Sequence, residues 1–223
     1  MSLLDAFIRA LSETFGVQLS WGLSVLPALI VGFTLHEYAH AWTAVRLGDP
    51  TPKWQGRLTL NPLKHLDPIG TLLVFIAHVG WAKPVVWNPV YLRVSRRWGI
   101  LLVAAAGPLA NLLLAAIGAL VLRLLAPLLH LFPAWWGIIP GPSSLLITFV
   151  VFNVILFVFN LIPLPPLDGF VVLSGLVPPS WYPALEVLRR YGMFLLIVLL
   201  FMPSSPLMWG FDLVVRGLLA ILL

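Results

Sequence analysis

The sequence contains no cysteine, which removes disulfides and thiolate metal ligands together. Any metal site must therefore be assembled from His, Asp, Glu or water. Charge is scarce as well: 9% of the residues are Asp, Glu, Lys or Arg, against about 25% in soluble domains. With 61% hydrophobic residues and a mean hydropathy of +1.02, that scarcity excludes an ordinary soluble domain. It implies a polytopic membrane protein with the lipid bilayer as a partner. The formal charge of +5 comes without a basic run interleaved with aromatics, so no nucleic acid is expected. Basic loops flanking membrane spans explain it better, and the 10 Trp suit rings anchored at the two interfaces. Residues 1–18 lack a basic region followed by a short apolar core, so no cleavable signal peptide is expected.

What the chain does have is H-E-x-x-H inside an apolar segment, Phe33-Thr34-Leu35-His36-Glu37-Tyr38-Ala39-His40-Ala41-Trp42. On a helix, positions four apart share a face, so His36 and His40 can offer imidazole nitrogens to one metal ion. Glu37 falls on the flank of that face, where a carboxylate can take a proton from an activated water. In a soluble chain this pattern reads as a zinc hydrolase. Among residues suited to lipid it reads as an intramembrane metalloprotease. Each polar group at membrane depth costs on the order of 2–3 kcal/mol unless paired, so two His and one Glu in five residues demand partners.

Residues 1–18 carry apolar residues at helical spacing with Asp5, Arg9 and Glu13, fitting an interfacial helix or an extension of the first span. That span covers about 19–46 and stops at Arg46-Leu47-Gly48-Asp49-Pro50. The alternation Gln55-Gly56-Arg57-Leu58-Thr59-Leu60 predicts a short strand, either pairing with an unwound substrate or forming a surface hairpin. Asn61-Pro62 and Asp67-Pro68 are turn signals. Residues 69–80 are apolar, but as a helix they span roughly 18 Å, short of the roughly 30 Å hydrocarbon core. Basic residues flank them on both sides, which predicts a re-entrant or tucked segment with both flanks in the cytoplasm. His78 within it reads as packed or water-bonded, and His130 as interfacial. His65 reads as a structural hydrogen-bonding residue or one that shapes the site. Further spans are expected at about 98–126 and 144–164, with a C-terminal hairpin at about 184–223. The loop 127–143, with Trp135 and Trp136 and no acid, Lys or Arg, reads as extracytoplasmic. Arg96-Arg97 and Arg189-Arg190 read first as topology signals, with anionic lipid contact secondary. The expected fold is thus an all-α polytopic membrane domain over 1–223, with about five to six transmembrane segments and a short β-hairpin or re-entrant region after the HExxH helix.

If 69–80 does not cross, His36, His40 and the end of the 144–164 span share the cytoplasmic half of the membrane. A third ligand belongs there, and Asp168 is the only acid between Asp67 and Glu186. It follows a proline-broken turn, Asn160-Leu161-Ile162-Pro163-Leu164-Pro165-Pro166-Leu167-Asp168-Gly169. Broken helices at membrane depth line cavities, and a lone acid there wants a cation. Two His and one carboxylate, with a fourth position for water, are the donor set of a catalytic zinc ion.

The chain resembles the site-2 protease family of intramembrane zinc metalloproteases, most closely its compact prokaryotic branch. The likeness covers nearly the whole chain. It rests on His36-Glu37-Tyr38-Ala39-His40, Asn61-Pro62 with His65-Leu66-Asp67-Pro68, Gly80-Trp81-Ala82-Lys83-Pro84-Val85, Gly107-Pro108 with Asn111, and Asn160 through Asp168-Gly169. It implies one Zn2+ held by His36, His40 and Asp168, with Glu37 as general base and acid. It also implies that Asn160 orients substrate or stabilises the oxyanion. Gly56, Arg57 and Leu58 would lie in the substrate-clamping region, and Asn111 matches a family position that a helix-packing bond explains equally well. The implied substrate is a transmembrane protein or peptide, and the implied place is a prokaryotic plasma membrane with the site toward the cytoplasm. No stretch is long enough for the PDZ domain that many relatives insert.

Two other readings compete. A metal transporter would need ionisable residues along several spans, and the later spans offer only Arg123, Asp212 and Arg216 near their ends. An inactive helix-binding homologue would be expected to lose Glu37 or a ligand, and all four residues are present.

Overall fold

Helix α1 (Leu3–Arg46) runs for 44 residues with Pro27 inside it. At 1.5 Å per residue it is about 66 Å long, so the N-terminal stretch extends the first span as one helix. The computed structural model describes residues 3–77, 80–129, 140–200, 202 and 205–223. His78, His130, Trp135, Trp136 and the expected turn at Pro203-Ser204 lie outside the described residues. After α1 come a single turn α2 (Thr51–Trp54), a 3-10 turn at Pro62–Lys64 and α3 (Pro68–Ala77). The extended segment 80–88 follows, here termed the strap, then a 3-10 turn at Pro89–Tyr91. The rest is α4 (Arg96–Leu129), α5 (Pro142–Asn160), α6 (Asp168–Leu176), a 3-10 turn at Pro179–Trp181, α7 (Tyr182–Leu200) and α8 (Pro206–Leu222).

Local chemistry sets several of these boundaries. Asn61 and Asn88 each precede a proline, and each side chain accepts from the backbone N–H two residues on (Leu63 and Val90). Ser205 caps α8 through Met208 N–H. Proline at the first helical position loses no bond, since that N–H has no partner in the helix.

Three helices among the described residues are long and apolar enough to cross a membrane: Ser20–Arg46 of α1, α4 and α5. The larger number expected from sequence also counted α7 and α8. Helix α7 carries Glu186, Arg189 and Arg190, and α8 has 17 residues. Helix α4 packs against α1, α5 and α6, and its Leu109, Leu113, Ile117, Leu120 and Leu124 form an exposed stripe suited to lipid. Between the helices lie three apolar clusters: Val25, Leu29, Phe33, Val74 and Leu156; Ala115, Ala119, Val150, Val154 and Val215; and Ile162, Leu164, Leu167 and Leu196. The last holds the broken 161–167 turn in place between α5 and α7.

The short strand expected at 55–60 does not form. Gly56 takes φ +65°, which turns the chain, and Arg57 points inward to 6% exposure. The fully buried His65 donates from Nε2 to Thr59 O at 2.7 Å and closes the loop on itself. Among the described residues the only β contact is one antiparallel bridge, Leu66 with Ala82. It ties the strap to the turn before α3, where Lys83 N–H donates to His65 O at 2.7 Å. Farther along, Asn88 N–H donates to Asp49 Oδ2 at 2.6 Å, Gln55 Nε2 to Val86 O at 3.3 Å, and Arg93 N–H to Leu47 O at 2.7 Å. The strap is therefore pinned along its length to the corner that follows α1.

Candidate active site

The histidines of α1 lie one turn apart and face the N-terminal half of α4. Their rings are nearly perpendicular, 81° between planes with centroids 4.7 Å apart. Small residues allow α4 to come this close. Gly107 faces the imidazoles directly, and a Cβ there would collide with His40 Nε2 and lie 2.7 Å from His36 Nε2. Asp168 reaches the same point from another direction, because the 161–167 break ends α5 and starts α6 at this carboxylate.

The three side chains meet at one point. His36 Nε2 lies 3.1 Å from His40 Nε2, and Asp168 Oδ2 lies 3.1 Å from the first and 3.2 Å from the second. The hydrogen bonds behind the rings decide what those atoms offer. His40 Nδ1 lies 2.7 Å from Val103 O, a carbonyl that can only accept, so Nδ1 carries the proton. On the other ring, His36 Nδ1 meets Asn111 Oδ1 at 2.7 Å. The orientation of Asn111 is set by its neighbours: its Nδ2 donates to Gly32 O at 3.2 Å and to Asn153 Oδ1 at 2.9 Å. Asn153 Nδ2 in turn donates to Phe149 O at 2.9 Å. Two backbone carbonyls thus fix the direction of the chain, and His36 Nδ1 must donate. With those protons on Nδ1, each neutral ring turns an Nε2 lone pair toward the same carboxylate oxygen.

Neutral rings and a carboxylate at such distances present three lone pairs to one point, where a shared proton or a metal cation relieves their repulsion. Tetrahedral zinc with bonds of 2.0–2.1 Å separates its ligand atoms by about 3.3 Å, close to the triangle observed. These residues fit a zinc ion. Both His are buried, whereas the Asp168 side chain keeps 21% of its surface exposed, leaving an open side for water or substrate.

Glu37 is buried beside this group, and its Oε2 accepts from Val85 N–H of the strap at 2.8 Å. Its Oε1 makes no hydrogen bond among the described residues. The structure thus brings His36, Glu37, His40 and Asp168 together. Asn160 closes α5, and its Nδ2 donates back to Leu156 O at 2.9 Å without bonding the cluster. Asn111 sits behind His36, fully buried and with its amide wholly engaged, so it presents nothing to a substrate. Gly56 and Leu58 are exposed on the loop, while Arg57 is buried and donates to backbone carbonyls. Sequence reasoning missed Asn153 and the Val85 N–H. A signal existed for the first, since an asparagine within an apolar span needs a partner. None existed for the second, because a backbone donor leaves no trace in composition.

No protein-family profile matches the chain, and no solved structure matches it. Curated proteins do. The chain is 42% identical over 197 residues to a Bacillus subtilis (strain 168) protein named "Putative zinc metalloprotease YwhC", covering 86% of this chain and 88% of that one. It is 33% identical over 196 residues to Rip2 of Mycolicibacterium smegmatis, which carries the same zinc metalloprotease designation, covering 85% and 71%. The Rip2 of Mycobacterium tuberculosis (strain H37Rv) is 32% identical over 201 residues, covering 85% and 73%.

Proposed function

We propose that this chain, which belongs to the zinc metalloprotease family of YwhC and Rip2, is an intramembrane protease of the site-2 type, hydrolysing peptide bonds within or beside transmembrane segments. The observation that carries the reading is the position of the donor set. His36 and His40 lie on a helix apolar enough to cross a membrane, packed between α4 and α5, two more of the same kind. Substrates reaching such a site come from the bilayer itself.

His36, His40 and Asp168 would hold the ion. Zinc, when bound, acidifies a water and polarises a carbonyl. Glu37 accepts the proton of the attacking water at Oε1, while Val85 N–H holds Oε2 in place. As water oxygen bonds to the scissile carbon and the C–N bond breaks, Glu37 passes that proton to the leaving amine. Asn160, at the rim of the broken turn, is positioned by its bond to Leu156 O and would orient the substrate backbone or its oxyanion. Asn111 acts behind His36 as a positioning residue.

A helical substrate hides its carbonyls and must unwind locally, so segments with Gly, Pro or polar residues near the site are favoured. Arg46, Lys53, Arg57, Lys64, Lys83, Arg93, Arg96 and Arg97 all fall in or beside the loops at the end of the bundle where the site lies. By the positive-inside rule that end faces the cytoplasm of the cell that makes the protein.

The test is cleavage of single-span peptides in proteoliposomes, with Gly-Pro placed at varying depth. Wild type should cut near the basic end and Glu37→Gln should not. Zinc-loaded wild type that binds these segments and never cuts them would overturn the reading in favour of a helix-binding homologue.

A further inference from the structure

Arg57 is a buried guanidinium that makes no ion pair with a carboxylate among the described residues. It donates from Nη1 to Lys64 O and from Nη2 to Lys83 O at 2.5 Å and Pro84 O at 2.6 Å. At 6% exposure it has given up most of its water, and burial pulls its pKa down while the nearby Glu37 carboxylate opposes that shift. Arginine nonetheless keeps its proton in proteins, so the charge stays. Desolvating an arginine to hold three carbonyls is costly, and surface packing alone does not require it.

The carbonyls it holds are informative. Lys83 and Pro84 immediately precede Val85, whose N–H donates to Glu37 Oε2. The planar fork joins the turn at Lys64 to two consecutive strap carbonyls, fixing the peptide planes ahead of that N–H. A second tie, Lys83 N–H to His65 O, holds the same point from the other side. Beyond Val85 the strap depends on the long Gln55 bond and the distant Asp49 contact. The segment that aims a donor at Glu37 is therefore the segment that Arg57 grips.

We propose that Arg57 is a positioning residue for catalysis: by clamping Lys83 O and Pro84 O it sets the Val85 N–H that orients the Glu37 carboxylate. The inference rests on the metalloprotease reading of Glu37. A substrate-contacting role, expected for Arg57 from sequence, would need a side chain reaching the surface, and this one does not.

The test combines Arg57→Gln, Val85→Pro and the double variant in full-length, zinc-loaded protein. Proline at 85 deletes the N–H and leaves the clamp intact. Each single change should lower kcat by about tenfold or more, with KM moved less than about threefold. The double variant should fall no more than about twofold below the worse single, because both changes remove one relationship. Amide exchange across 82–86 should speed up in Arg57→Gln, with zinc per chain unchanged. Losses that multiply, a rise in KM alone, or unchanged exchange in the strap would overturn the proposal. The exchange measurement needs no activity, so failure of the clamp is separable from failure of the protease reading.

Discussion

Asn111 Oδ1 accepts from His36 Nδ1 at 2.7 Å, and that bond decides which nitrogen of His36 faces Asp168. Removing the asparagine frees the ring to turn and to change tautomer. Asn111→Ala should weaken zinc affinity by about 10- to 100-fold, measured by competition with a chelating dye. It also leaves Asn153 Oδ1 without its donor, costing about 1–3 kcal/mol of stability. Unchanged affinity would make Asn111 a packing residue only.

Gly107 admits the imidazoles to the wall of α4. Gly107→Ala places a methyl against His40 Nε2, and neither ring can retreat without breaking its own bond to Val103 O or Asn111. Zinc per chain should fall to a small fraction of the wild-type value in protein that remains helical by circular dichroism. Full zinc occupancy in this variant would show that α4 can shift away.

Glu37 touches no atom of the metal triangle in the hydrogen-bond network, but it lies beside it and keeps Oε1 free. Glu37→Gln should therefore retain zinc and lose cleavage by about a hundredfold or more. Wild-type cleavage rates would remove Glu37 from the chemistry.

Asp49 is fully buried and accepts from Thr51 N–H at 2.9 Å and Asn88 N–H at 2.6 Å. It joins the end of α1 to the far end of the strap. Asp49→Ala should cost about 1–3 kcal/mol in thermal or denaturant unfolding and speed amide exchange near residue 88, with zinc still bound. Unaltered exchange would mean that Arg93 and Leu47 suffice to hold the strap.

The donor set could be read from sequence because its chemistry is local. His36 and His40 share a helix face by spacing alone, and Asp168 stood out as the one acid in a long apolar tract. The helices around them follow from apolar length, and their ends follow from Asn-Pro and Gly-Asp-Pro signals. The loop between α1 and α4 was another matter. Alternation at 55–60 gives a strand pattern, but the arrangement is decided by Arg57 reaching carbonyls 7, 26 and 27 residues away. No periodicity encodes such a contact. Asn153 and Asn111 were each visible as polar residues in apolar spans, while their pairing depended on how α4 and α5 cross. Length and apolar content single out three spans among the described residues, and α7, with its charges, and the 17-residue α8 do not meet that criterion.

Metal content decides most directly whether residues 36–40 and 168 form one site. Detergent-purified wild type should hold about one zinc per chain, and both His40→Ala and Asp168→Ala should lose most of it. A well-folded wild type without tightly bound metal, or an Asp168→Ala variant that keeps its zinc, would contradict the site described here.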